Sequence, residues 1–284
     1  MIWKMLRILL TLILILFPFW GGALISGYTP YKEGNSVAHY AIIYCTVIIV
    51  AALILFYLTF RFKNAFIQPV LPGIILFFIG VIMLGIAGLA AGPDLSVKML
   101  EHPEREHFRY VLLSVGAFLF CFYFINLFIG QALNLKAFSK GLMIVLFAVS
   151  MAEMLWEFNH HYHYPEGLKL WIESGHKAED FNKNYDNHDV GSIGAVGRLA
   201  IYSLILWLSV GMYKMRKINL WNPILTAFFC GLGILSSITT FAYFKFGIEM
   251  PKEMGFLIVF FIPGIPFLIL YWIGIAMLTR KPIQ

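Results

Sequence analysis

An all-α, polytopic bundle of about eight membrane-spanning helices is the fold class this sequence predicts, and three observations predict it. Of 284 residues, 60% are hydrophobic and 13% charged, with a mean hydropathy of +0.80; a soluble domain carries roughly twice that charged fraction, about 25%. Apolar runs recur that are long enough to cross about 30 Å of hydrocarbon, for which about 20 residues suffice. Charges then alternate between connections, basic in one set and acidic in the next. A net charge of +6 is therefore explained by membrane topology rather than by nucleic acid.

The first run, Ile8 to Ile25, follows the charged start MIWKMLR and has no small-residue cleavage site after it, so it reads as a retained span. The later spans read as Ala38–Phe60, Pro69–Ala91, Tyr110–Gln131, Gly141–Phe158, Val196–Tyr213, Pro223–Phe244 and Gly255–Leu278. Pro263 and Pro266 break the final run, because proline has no N–H and clashes with the preceding turn; the last two spans could be re-entrant there. Cys45, Cys121 and Cys230 each stand alone in an apolar run and read as small core residues. Asn126, Gln131, Thr239 and Thr240 are expected to make hydrogen bonds between helices.

With the N terminus in the cytoplasm, the inner segments carry Lys4, Arg7, Arg61, Lys63, Lys136, Lys140, Lys214, Arg216, Lys217, Arg280 and Lys281, and no acid. All fifteen Asp and Glu residues and all eight histidines then fall in outer loops or at outer helix ends. This obeys the positive-inside rule and places both termini inside. The expected location is a bacterial-type inner (plasma) membrane, with loops 92–109 and 159–195 forming a polar cap on a single transmembrane domain, residues 1–284. The short inner loops leave no room for a nucleotide-binding domain, and neither GxxxxGK[ST] nor a GxGxxG after a strand occurs.

The polar chemistry concentrates between Glu153 and Arg198, where five of the eight histidines lie. Glu153, Glu157 and His160 share one helix face, within about 60° of one another at 3.6 residues per turn. Three Glu-x-x-His spacings occur on the outer side: Glu104 with His107, Glu157 with His160, and Glu173 with His176. On a helix this spacing aims a carboxylate and an imidazole at one point, and two such helices build the di-iron or di-manganese sites of bundle proteins. The expected metal ligands are Glu104, His107, Glu157 and His160, with His161, His163, His188 and Asp189 as further candidates, and Glu157 or Glu104 as catalytic base. Imidazole with carboxylate suits zinc, copper, iron or manganese, so the transition metal is left open. No HExxH signature is present.

Beyond this cluster, Asn187 or Asp189 is suited to cap the sixth span, whose start is lined by Gly191, Ser192, Gly194 and Ala195 for close helix packing. Arg198 lies about 12 Å into that helix and Glu153 about 10 Å below His160, at 1.5 Å per residue, so a buried pair between them is expected. The reading that follows is an integral membrane metalloenzyme with its site at the outer face, acting on a lipid or other apolar small molecule. The alternatives are a noncatalytic subunit or assembly factor of a membrane complex, docking other membrane subunits through the 159–195 loop, and a transporter or proton-linked channel.

Overall fold

The computed structural model describes residues 2–62, 70–89, 97–129, 137–249 and 251–280. Among these residues the regular structure is helical, without strands. The α-helices in chain order are α1 (Ile2–Ile15), α2 (Phe17–Ser26), α3 (Val37–Phe62), α4 (Val70–Leu89), α5 (Pro103–Ile129), α6 (Ala137–Tyr162), α7 (Tyr164–Glu173), α8 (Phe181–Tyr185), α9 (His188–Lys214), α10 (Trp221–Phe246) and α11 (Gly264–Leu278). Single-turn 3₁₀ pieces cover Val97–Glu101 and Ala178–Asp180, and a longer one covers Lys252–Phe261. Asp94, Lys63, Gln131, Lys136, Lys281 and both ends expected for the third span, Pro69 and Ala91, lie outside the described residues.

Five helices, α3, α5, α6, α9 and α10, are long and apolar enough to cross a membrane, and two bent pairs raise the number to seven. The remaining apolar helix is α4, whose apolar stretch is the shorter Leu71–Ile86. The first expected span is not straight: α1 and α2 meet at 53°. Pro18, in the first turn of α2, has no N–H to give the carbonyl of Leu14, four residues back. Tyr271 Oη–H donates to that carbonyl at 2.5 Å, while Trp272 Nε1 donates to Ile15 O and Trp20 Nε1 to Ile13 O, both at 2.9 Å. Every carbonyl freed by the break thus finds a partner inside the protein, as a low-dielectric surrounding requires.

The final span is likewise divided, with the 3₁₀ segment Lys252–Phe261 meeting α11 at 66° just before Pro263. Side chains of α9 and α10 take the carbonyls of that segment: Tyr202 on Phe260 O at 2.5 Å, Ser236 on Leu257 O at 2.8 Å and Arg198 Nε on Phe261 O at 3.0 Å. Beyond it α11 is buried along its whole length except at Ile265, as expected of a helix apolar all round. It packs on α4 so closely that a Cβ at Gly80 would meet the ring of Tyr271.

The 159–195 segment is more regular than a loop. It holds α7, α8 and the first two turns of α9, which begins at His188 rather than Val196 because Asn187 Oδ1 accepts from the N–H groups of Asp189 (3.0 Å) and Val190 (3.2 Å). Met99, Tyr164, Leu168 and Phe181 form a small apolar core of their own, tying the 97–101 turn to α7 and α8. The three cysteines are free, and Cys230 alone is buried; Cys45 is exposed. Asn126 and Thr239 bond to carbonyls of their own helices, Phe122 O and Leu235 O, instead of bridging to neighbours, since a carbonyl one turn back is always in reach.

Candidate functional site

Arg198 projects from α9 towards α6 and is fully buried. Its Nη1 donates to both oxygens of Glu153, at 3.2 and 3.0 Å, and its Nη2 to Glu157 Oε2. The two acids are four residues apart and therefore stand one above the other on α6, so one planar guanidinium reaches both. Both are buried, at 5% and 7% exposure, and the pairing is what makes charges tolerable in that setting. Gly197 makes the room: a Cβ there would overlap the Glu153 side chain.

One turn further along α6, His160 and His161 turn towards Asp186, which follows α8. His160 Nε2 lies 3.2 Å from Asp186 Oδ1, and His161 Nε2 lies 3.2 and 3.3 Å from its two oxygens. Among the described residues these three form the group whose ligand atoms, all within 4.8 Å of one another, could hold a metal ion. His161 Nδ1 is 3.1 Å from the carbonyl of Glu157, which can only accept, so Nδ1 carries a proton. A neutral imidazole then presents a lone pair at Nε2, facing a carboxylate that is also an acceptor. A cation must lie between them, either a second ring proton or a metal ion.

The ring faces are covered. Trp156 and Tyr185 both stack on the His160 ring, with centroids 5.5 and 4.2 Å from it, and Tyr110 stacks on His161 at 5.5 Å. Tyr185 Oη–H also donates to His160 O at 2.7 Å, locking α8 onto the end of α6. Burial pushes the Tyr185 hydroxyl up to about 12, helped by the negative charges of Asp186 and Glu166. Burial also pushes the Asp186 carboxyl up, but hydrogen bonds from both imidazoles and their charges outweigh it and hold it at about 2.

The other expected ligands have different partners. Glu104 contacts His102 at 3.1 Å, whereas His107 lies 2.8 Å from Glu166 of α7, outside hydrogen-bond alignment, and stacks on Tyr162. The two members of that Glu-x-x-His spacing thus address different neighbours, as do Glu157, on Arg198, and His160, on Asp186. His163 is exposed with its ring edge-on to Tyr162, and His188 faces Phe244 O at 3.1 Å. Asp189 is exposed, 4.0 Å from Lys245. Asp186 carried no sequence signal beyond its place in the polar stretch. Glu106 and Arg109, a buried pair at 2.6 Å, sat unnoticed in an acid-rich helix start.

Between α6, α9 and α10 runs a groove of about 590 Å³, lined among others by Glu153, Val196, Gly197 and Lys245. Trp156 lines the same groove and stacks on His160, so the apolar groove and the imidazole cluster share a wall. No protein-family model matches this chain, and comparison with curated proteins and with solved structures found no match.

Proposed function

We propose that this is a multi-pass membrane metalloprotein of eight spans, both termini cytoplasmic, whose polar end faces outward from a bacterial-type inner membrane. In this reading His160, His161 and Asp186 bind one transition metal ion, and the α6–α9–α10 groove admits a lipid or other apolar small molecule beside it. The observation that carries the reading is the convergence of two imidazole nitrogens, His160 Nε2 and His161 Nε2, on one carboxylate, each 3.2 Å from Asp186 Oδ1. Metal–ligand bonds of about 2.0–2.2 Å set neighbouring ligand atoms about 3–3.5 Å apart, and these distances fall in that interval. Two imidazoles and one carboxylate with open positions suit iron or zinc, and the metal would supply Lewis acidity to a bound water or substrate. Glu157 acts as a positioning residue: its carbonyl orients His161 and its carboxylate is occupied by Arg198.

Metal analysis of detergent-purified protein tests this. About one equivalent of iron or zinc is expected per chain, falling at least tenfold in Asp186→Asn and His161→Ala while helix content is kept. Retention of full metal content by the double variant would sink the proposal. A second reading, a noncatalytic subunit or assembly factor, draws support from the engagement of both α6 carboxylates by Arg198, which leaves neither available as a base. It expects no metal and a stable partner subunit retained through purification in mild detergent.

A further inference from the structure

The opposite end of the bundle carries a second groove, of about 650 Å³, where the start of α1, the start of α10 and the end of α11 meet. Ile8, Leu12 and Ile224 line it and are about half exposed, at 53%, 49% and 62%. Lys4 and Arg7 also line it, and Arg7 donates to Thr279 O. Arg280, next to Thr279, has its pKa lowered by burial and then by the like charge of Arg216. The segments that meet here, residues 2–15, 214–225 and 275–280, contain no acid.

From Arg7 to Ile15 α1 rises about 12 Å, close to the depth of one leaflet of a hydrocarbon layer about 30 Å thick. The cavity has the size usual for a small-molecule site, about 300–1,000 Å³. We infer that this groove holds the acyl chain of an anionic phospholipid of the cytoplasmic leaflet, its phosphate at Lys4 and Arg7. Charge decides the occupant. A second copy of the chain would bring the same cations to the same surface, and like charges repel. A zwitterionic lipid fills the apolar part equally well but gains less from the cations, each of which is worth about fivefold in affinity for an anionic surface. The Trp221 indole, which also lines the groove, suits the headgroup boundary. This inference rests on the proposed topology, which puts this end of the bundle in the cytoplasmic leaflet, and is independent of the metal centre.

The test is thermal unfolding of the purified full chain in mixed micelles containing either dioleoyl phosphatidylglycerol or dioleoyl phosphatidylcholine at matched mole fraction. Phosphatidylglycerol should raise Tm above phosphatidylcholine, and soluble glycerol 3-phosphate should leave it unchanged because the chain contacts are missing. Lys4→Gln should weaken the phosphatidylglycerol response about fivefold. Ile224→Trp, which fills the groove without touching its charge, should abolish the response, and Leu12→Trp serves if that variant is poorly folded. Lys177→Gln, on the cap at the other end, should respond like the parent. Equal responses to the two lipids, a full response in both Lys4→Gln and the groove-filling variant, or reproduction by glycerol 3-phosphate would each overturn the inference.

Discussion

At one end of the bundle Arg198 is sealed between Glu153 and Glu157; at the other, Arg216 and Arg280 lie within range of each other's charge with no acid in the surrounding segments. Both carry arginine, Arg198 about three turns into α9 and Arg280 just past the end of α11. They differ in dielectric surroundings. A guanidinium enclosed by helices has no water to solvate it and must be matched by carboxylates. One at a helix end can be solvated by water and lipid phosphate, as the exposed Arg216 can, so its repulsion of Arg280, itself buried, is screened. Paired charge thus marks the enclosed space between α6 and α9, and like charge without acids nearby marks the exposed turn at Arg216.

The sharpest way to break this contrast is to ask whether the two ends lie on opposite sides of the membrane. Reporter fusions at Lys140 and Lys217 should report cytoplasm and one at Lys177 the exterior; a cytoplasmic signal at Lys177 would reverse the outward placement of the histidines altogether. Next in size is the sealed arginine. Arg198→Met strands two buried carboxylates and should cost about 3–5 kcal/mol in unfolding free energy. Adding Glu153→Gln and Glu157→Gln should recover a substantial part of that loss, because removing all the charges leaves nothing uncompensated. Purely additive losses across the three sites would show that the ions do not act as a unit.

Acid should separate the ends as well. The Asp186 carboxyl is held at about 2, against 3.8 when unperturbed. A depressed folded-state value means that its contribution, about 2 kcal/mol, is fully present above about pH 4 and is lost as pH falls through about 2. Acid unfolding of the metal-free protein between those values should therefore flatten in Asp186→Asn; an unchanged profile would remove Asp186 from the stabilising network. The smallest effect is expected at the basic end. Arg216 has φ +54°, a left-handed backbone that costs an L-residue about 1 kcal/mol and glycine almost nothing. Arg216→Gly should raise Tm slightly, and a loss of more than about 1 kcal/mol would show that its charge has a stabilising partner.

What the sequence by itself determines is whatever depends on neighbours within a few residues. Hydropathy places the apolar helices, the partition of Lys and Arg from Asp, Glu and His separates the two ends, and the four-residue spacing of Glu153 and Glu157 puts both on one face of α6. Asn187 is legible as a cap for the same reason, since its partners, Asp189 N and Val190 N, are the next turns of chain. Pro263 and Pro266 mark the break in the last span, whereas the first run reads as one continuous span; the break before Pro18, the 53° and 66° angles and the side chains that take up the freed carbonyls come from the tertiary structure.

Only the tertiary structure decided which partners the polar side chains meet. Glu-x-x-His spacing guarantees a shared face, yet Glu157 turns to an arginine on α9 and His160 to an aspartate 26 residues on, while His107 meets Glu166 on α7. Each choice depends on how far α6 is rotated about its axis and where the 163–187 segment folds back. Those are set by bulky packing such as Tyr185 against His160, by the small apolar core around Leu168, and by the space left at Gly197. Periodicity carries the direction in which a side chain points; the identity of what stands opposite comes from packing between elements distant in the chain.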